Sequence, residues 1–187
     1  FEILFVNDGS KDKSLEIIKG YRNEDERYCY LDFSRNFGQE VAMAAGLDYV
    51  TGDCAIFMDA DLQDPPEWIP EMVKYWEEGY DDVYARRKKR TGESFLKKFT
   101  SKMYYRVLQE MTNVEIQKDT GNYRLIDRRC INALKKMQES ERCLKSMFSW
   151  IGYKKKEVLF ERPPRVAGKT KWNYFKLIDL ANSIKLP

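Results

Sequence analysis

Three short apolar runs constrain the fold of this chain more than any other feature. Ile3–Val6, Tyr28–Phe33 and Cys54–Met58 each have the length of a strand, and each breaks off into a polar loop. Helical spacing fills the intervals, with Leu15, Ile17, Ile18 and Tyr21 in the first and the Ala-rich segment Val41–Val50 in the second. Strands alternating with helices at this interval predict βαβ units, hence an α/β domain with a largely parallel sheet flanked by helices.

The pattern continues. Pro65-Pro66 opens a helix through Trp76, because Pro in a first turn forfeits no hydrogen bond. Asp82–Ala85 reads as a fourth strand. Farther on, Thr120–Ile126 and Val158–Phe160 read as strands, and Arg129–Met137, Cys143–Trp150 and Asn173–Ile184 as helices. Between them Phe95, Phe99, Met103, Val107 and Met111 recur at four-residue spacing, with Lys97, Lys98, Lys102 and Arg106 largely off that stripe. A length of 187 residues fits one domain with a substantial core.

Charge divides the chain. Residues 1–85 carry 7 basic and 20 acidic side chains, whereas residues 86–187 carry 26 basic and 10 acidic. The formal net charge of +3 hides this split, which suggests two surfaces facing different partners. There is no histidine, so Ser-His-Asp and Cys-His catalysis and His-ligated metals are excluded. Cys29, Cys54, Cys130 and Cys143 form no CxxC pair and read as free thiols of a reducing compartment. A metal here would therefore have oxygen ligands, which means Mg²⁺ or Mn²⁺. No apolar run has the roughly 18 residues of a membrane span. The chain enters a strand at Phe1 without a leading Met and ends at Pro187 directly after a helical pattern, which suggests a fragment at both ends.

Two strand ends carry chemistry. Phe57-Met58-Asp59-Ala60-Asp61-Leu62-Gln63 sets two carboxylates, two residues apart, beyond an apolar strand. Ligands of parallel α/β sheets bind beyond the carboxyl ends of strands. Spaced i, i+2, Asp59 and Asp61 fall on the same side and can share a hard cation that neutralises a diphosphate leaving group. The pair alone is a weak motif; its place between a strand and a helix gives it weight. Val6-Asn7-Asp8-Gly9-Ser10 is the second such strand end, where the Asp8 carboxylate can accept hydrogen bonds from a base or ribose, although the same residues make a good turn and helix cap.

Taken in order, VNDGSKD, SRNFGQEVAMAAGLDYVTGD and MDADLQDPPE resemble the family 2 glycosyltransferases of the GT-A fold. More narrowly they resemble the membrane-associated polyprenyl-phosphate glycosyltransferases, the group of the dolichyl-phosphate mannose synthases and bactoprenol glucosyltransferases. Asp119-Thr120-Gly121-Asn122-Tyr123-Arg124-Leu125, Arg162-Pro163-Pro164-Arg165 and Gly168-Lys169-Thr170-Lys171-Trp172 agree with it. The resemblance covers essentially the whole chain. It implies an opening strand with a Pro-x-Tyr-Asn-Glu type motif, which this sequence lacks, and transmembrane helices beyond its end.

The resemblance implies roles. Asp8 would contact the nucleoside, Asp59 and Asp61 the ribose and the metal–diphosphate, with Gln63 near the metal. Arg124, Arg165, Thr170 and Lys171 would hold phosphate groups of donor or acceptor, and Asp119 would be a catalytic base or a positioning carboxylate. The implied reaction is inverting, metal-dependent transfer of a hexose from a UDP- or GDP-linked sugar to undecaprenyl or dolichyl phosphate at the cytoplasmic membrane face. Residues 1–85 would serve the donor, and residues 86–187 the acceptor and an anionic membrane surface, with Phe95–Met111 as an interfacial helix. Nucleic acid is not an expected partner, and homo-oligomerisation is left open. The Q-x-x-R-W signature of processive synthases is absent, against a growing polysaccharide acceptor. A family 2 enzyme acting on a soluble or cell-wall glycan is the alternative. A dehalogenase-like phosphatase also carries Asp-x-Asp after a strand, but Leu62-Gln63 departs from its pattern, and a basic non-enzymatic binding module is the other rival.

Overall fold

The computed structural model describes residues 1–61, 63–87, 120–137 and 144–160. In chain order these form β1 (Ile3–Asn7), α1 (Ser14–Glu24), β2 (Tyr28–Asp32), α2 (Gln39–Tyr49), β3 (Cys54–Phe57), a 3₁₀ turn (Pro66–Trp68), α3 (Ile69–Glu77), β4 (Asp82–Arg87), β5 (Thr120–Asp127), α4 (Arg128–Lys136), α5 (Leu144–Trp150) and β6 (Lys155–Phe160). The expected α/β architecture is present. The helical stripe Phe95–Met111, the final helix Asn173–Ile184 and most of the basic run after Arg86 lie outside the described residues.

Strands β1 and β2 pair in parallel, Ile3 opposite Tyr28 through Asn7 opposite Asp32. The other four form a sheet in the order β3-β5-β4-β6. That sheet is mixed: β4 and β6 are parallel, but β5 runs antiparallel to both β3 and β4. The largely parallel arrangement expected from βαβ spacing ends where β5 enters. A single crossover helix forces parallel neighbours, and β5 follows β4 only after residues 88–119, so its direction is not bound by that rule.

Both faces of the four-stranded sheet are buried, and the strand period of two assigns each side chain to a face. On one face Tyr123 and Leu125 of β5 pack with Val83 and Ala85 of β4, Val158 and Phe160 of β6 and Met72 of α3. On the other, Ile126 packs with Cys130, Ile131 and Leu134 of α4, Leu144, Met147 and Phe148 of α5, and Ala44 and Leu47 of α2. Polar ties fix the joints. Asp127 caps α4, its Oδ1 accepting from the Arg129 N–H at 2.8 Å, and its Oδ2 accepts from Trp76 Nε1 at 2.8 Å. Arg128 donates to the Val50 and Gly52 carbonyls beyond the end of α2, holding α2 to the sheet.

A buried ion pair crosses the second face. Arg124 donates from Nη1 to Asp82 Oδ2 at 3.1 Å, each side chain being 1% exposed. The guanidinium lies 4.0 Å from the Phe148 ring centroid, a cation–π contact. Burial pushes the Asp82 carboxyl up and the Arg124 guanidinium down, and each partner's charge opposes the shift. Arginine does not give up its proton in proteins, so Asp82 stays ionised to balance it.

Candidate active site

The strand registers define one end of the molecule. Cys54 faces Asp127 and Phe57 faces Arg124, so β3 runs from the Asp127 end of β5 toward its start and ends in Met58-Asp59-Ala60-Asp61. The carboxyl ends of β1 and β2 lead into Asp8 and into the loop 33–38.

Hydrogen bonds tie these ends together. Asp8 is half-buried just beyond β1, and both its oxygens accept from the loop after β2: Phe37 N–H to Oδ1 at 2.6 Å, Gly38 N–H to Oδ2 at 2.9 Å, and Asn36 Nδ2 to Oδ2 at 2.7 Å. Gly9 makes the approach possible. Its φ is +65°, and a Cβ there would sit 2.4 Å from the Arg35 carbonyl carbon, so only glycine satisfies both conformation and space. Behind it the buried Asn7 donates from Nδ2 to Asp32 Oδ1 at 2.8 Å, closing β1 on β2.

The same loop starts α2, whose first residue, Gln39, reaches the third strand end. Gln39 Nε2 donates to Asp59 Oδ1 at 2.8 Å. Asp8, loop 36–38, Gln39 and Asp59 therefore form one connected rim. Asp61, also half-buried, accepts from the Gln63 N–H at 3.1 Å in a tight turn. The buried Asp64 accepts the Asp59 N–H on Oδ2 at 3.0 Å. Beyond it the Pro65 carbonyl accepts from Tyr123 Oη at 2.7 Å. Burial, with the Asp64 and Glu67 charges, pushes that phenol up to about 12; it stays protonated and donates.

Of the expected site residues, Asp8 and Asp59 are thus joined in this rim, and Asp61 and Gln63 lie in the turn that follows Asp59. Arg124 is not. It was expected to hold a phosphate, and it is instead buried beside Asp82 and Phe148, because the alternation along β5 turns it onto the face covered by α5. Asp119, Arg165, Thr170 and Lys171 lie outside the described residues. Sequence reasoning assigned no role to Gln39, Asn36 or Asp64. Asp64 stood within the same acidic run, and Gln39 directly after a glycine at a helix start, but only the folded loop shows which groups they meet.

Among the described residues, no three Asp, Glu, Cys or His side chains are gathered to hold a metal by themselves. Two neighbouring carboxylates suit a hard cation that takes its remaining ligands from a diphosphate and water, the usual mode of Mg²⁺ and of similarly oxygen-seeking Mn²⁺. Cys130 is no candidate nucleophile: burial pushes its thiol up to about 12, where the reactive thiolate is absent.

Carboxylate-bearing loops at the carboxyl ends of β1 and β3 mark where a ligand of an α/β sheet binds, and comparison with known proteins gives the family. Residues 1–135 match glycosyl transferase family 2, and the chain belongs to that family. It is 49% identical over 181 residues to an uncharacterized glycosyltransferase of Synechocystis, a match covering 97% of this chain and 57% of that protein. It is 41% identical to a prophage bactoprenol glucosyl transferase homolog of Escherichia coli, covering 96% of this chain and 59% of that one. The chain thus spans less than two thirds of the curated relatives it matches. Among solved structures, glucosyl-3-phosphoglycerate synthase of Mycobacterium tuberculosis, in complex with Mn²⁺, UDP-glucose and phosphoglyceric acid, aligns with a TM-score of 0.59 at 13% identity, covering 96% of this chain and 64% of that one. At that identity the likeness is one of fold, the GT-A fold.

Proposed function

We propose that the protein transfers a hexose from a UDP- or GDP-linked sugar to a polyprenyl phosphate, with inversion and with a divalent metal, at the cytoplasmic face of a membrane. The observation that carries the reading is the single rim formed by Asp8, Gln39 and Asp59 beyond three strand ends, in a chain whose 39–41% identical relatives include proteins named bactoprenol glucosyl transferase.

Each residue has a part in this reading. Asp59 and Asp61 would hold Mg²⁺ or Mn²⁺, which when bound supplies positive charge against a diphosphate leaving group. Gln39 holds Asp59 in place, and Gln63 sits beside Asp61 at the same turn. Asp8 organises the loop against which the nucleoside would rest. The acceptor needs little base catalysis, since a phosphate monoester with a second pKa of about 6 is mostly dianionic at neutral pH. Its oxygen attacks the anomeric carbon, the bond to the diphosphate breaks on the opposite side, and the configuration inverts. Asp119 then serves more naturally to position the acceptor than to remove a proton. Arg165, Thr170 and Lys171 are proposed to hold phosphate, where cations offset the repulsion between two anionic substrates. The basic second half of the chain suits an anionic membrane surface.

The test supplies the full-length protein with UDP-glucose, GDP-mannose and related donors, polyprenyl phosphate and Mn²⁺. A lipid-linked sugar is expected from one donor. Absence of product with every donor overturns the reading, and transfer to a soluble or cell-wall glycan instead would reassign the acceptor.

A further inference from the structure

Asp64 has no part in the chemistry proposed above, yet it is the buried carboxylate of the rim, 5% exposed. Its Oδ2 accepts the main-chain N–H of Asp59 at 3.0 Å, closing the turn from Asp59 to Asp64 at its neck. One residue on, the Pro65 carbonyl accepts the Tyr123 hydroxyl at 2.7 Å. Tyr123 is itself buried in the sheet core, edge-on to Phe160 with ring centroids 6.0 Å apart. Tyr123 neighbours Arg124, the register partner of Phe57, the last residue of β3. The turn that carries Asp59 and Asp61 is therefore held at both ends by the rigid sheet: through β3 on one side, and through Asp64, Pro65 and Tyr123 on the other.

We infer that Asp64 and Tyr123 are positioning residues that preset the Asp59–Asp61 turn for a metal-bound diphosphate. This rests on the functional reading above. Loops carrying a metal-binding pair lose rate when a supporting contact lets them drift by an ångström. A carboxylate oxygen accepting a main-chain N–H at 3.0 Å makes a directional bond, so Asp64 fixes the backbone of Asp59 while Gln39 fixes its carboxylate. Asp64 would touch neither metal nor sugar; its effect passes through the Asp59 amide.

The experiment compares wild type, Asp64→Ala, Asp64→Asn and Tyr123→Phe in the full-length protein. Two readouts are followed: amide hydrogen exchange at Asp59, and the Mn²⁺ concentration for half-maximal binding of UDP or GDP, whichever wild type takes, by calorimetry. Asp64→Ala is expected to speed Asp59 exchange at least about tenfold and to raise the Mn²⁺ requirement about tenfold. Asp64→Asn keeps an acceptor oxygen and should recover most of both, and Tyr123→Phe should raise the Mn²⁺ requirement by a smaller factor. A folded Asp64→Ala whose Mn²⁺ requirement matches wild type overturns the inference, as does an Asn variant no better than Ala. Should Asp64→Ala fail to fold, the Asn and Phe variants decide by the same measurements: both at wild-type Mn²⁺ requirement overturn it. Asp59 exchange reads the hydrogen bond whether or not sugar is transferred. Wild type that shows the exchange pattern but no Mn²⁺-dependent binding of UDP or of GDP would sink the functional reading and, with it, the role for the turn, whereas variants that leave the Mn²⁺ requirement unchanged sink only this inference.

Discussion

Asp59 and Asp82 stand at opposite ends of the same sheet, and they differ in burial and in their place along the strands. Asp82 opens β4 at the end where β5 finishes, lies 1% exposed, and is matched by a guanidinium at 3.1 Å under an aromatic ring. Asp59 follows the carboxyl end of β3 and is half-buried; its carboxylate accepts from the Gln39 side chain, and its main-chain N–H donates to Asp64. A carboxylate neutralised by a buried partner is spent on the fold. Asp59 stands instead in the turn beyond a strand's carboxyl end, where a ligand of an α/β sheet binds. Strand direction sorts the two: the loops that can meet a ligand lie at the carboxyl ends, and Asp82 is at an amino end.

Breaking the buried side gives the largest expected effect. Arg124→Ala leaves Asp82 buried without its cation and is expected to cost about 3–5 kcal/mol, measured as a fall in the midpoint of urea unfolding. Replacing both members with apolar residues of similar volume should recover much of that loss, since desolvation offsets most of what a buried pair contributes. An Arg124→Ala protein as stable as wild type would show that the pair has no structural part and would reopen a ligand-binding role.

On the rim the contrast is one of activity. Asp59→Asn is expected to lower kcat/KM for sugar transfer about 10²–10³-fold, with unfolding changed by no more than about 0.5 kcal/mol. The asparagine can still accept from Gln39 but adds no charge to a cation. A large stability loss with modest activity loss would place Asp59 with Asp82 as a structural acid.

These two residues also show how far the sequence could be read. Loop-bounded apolar runs and the helical spacing between them located β1 to β4, and Asp59 and Asp61 were recognisable because their spacing and their position after a strand are local facts. Arg124 was not legible. Whether a residue of β5 faces a ligand or a helix depends on which strands flank β5 and on Phe148, about two dozen residues away in sequence, and no local pattern encodes either. The direction of β5 was hidden for the same reason. Asp64 reads as one more acid in an acidic run until the turn folds it onto the Asp59 amide.

The third test keeps to the rim but acts through the backbone. Gly9→Ala forces a side chain into a φ of +65° and to 2.4 Å from the Arg35 carbonyl carbon. The expected cost is about 1–3 kcal/mol, together with a fall in activity, because the loop that must move also carries the donors to Asp8 and begins α2 at Gln39. Unchanged unfolding and activity would mean that the close packing of Gly9 on this loop is not maintained in solution.

The smallest effect belongs to the far end of the sheet, where Asp127 is a structural acid less buried than Asp82. Burial raises its carboxyl, but hydrogen bonds from Trp76 and from the Arg129 main chain and side chain outweigh that and hold it below the ordinary value of 3.8. A carboxyl lowered by folding contributes stability that is fully present above its unfolded pKa. That stability is lost as pH falls through the lowered folded value. Asp127→Ala should therefore cost about 1 kcal/mol near neutral pH, by loss of the α4 cap. The gap between variant and wild type should close as the pH is taken well below 3.8. Urea midpoints over a descending pH series would show the two curves converging; curves that stay parallel would mean that packing around Trp76, and not the carboxylate charge, joins α3 to α4.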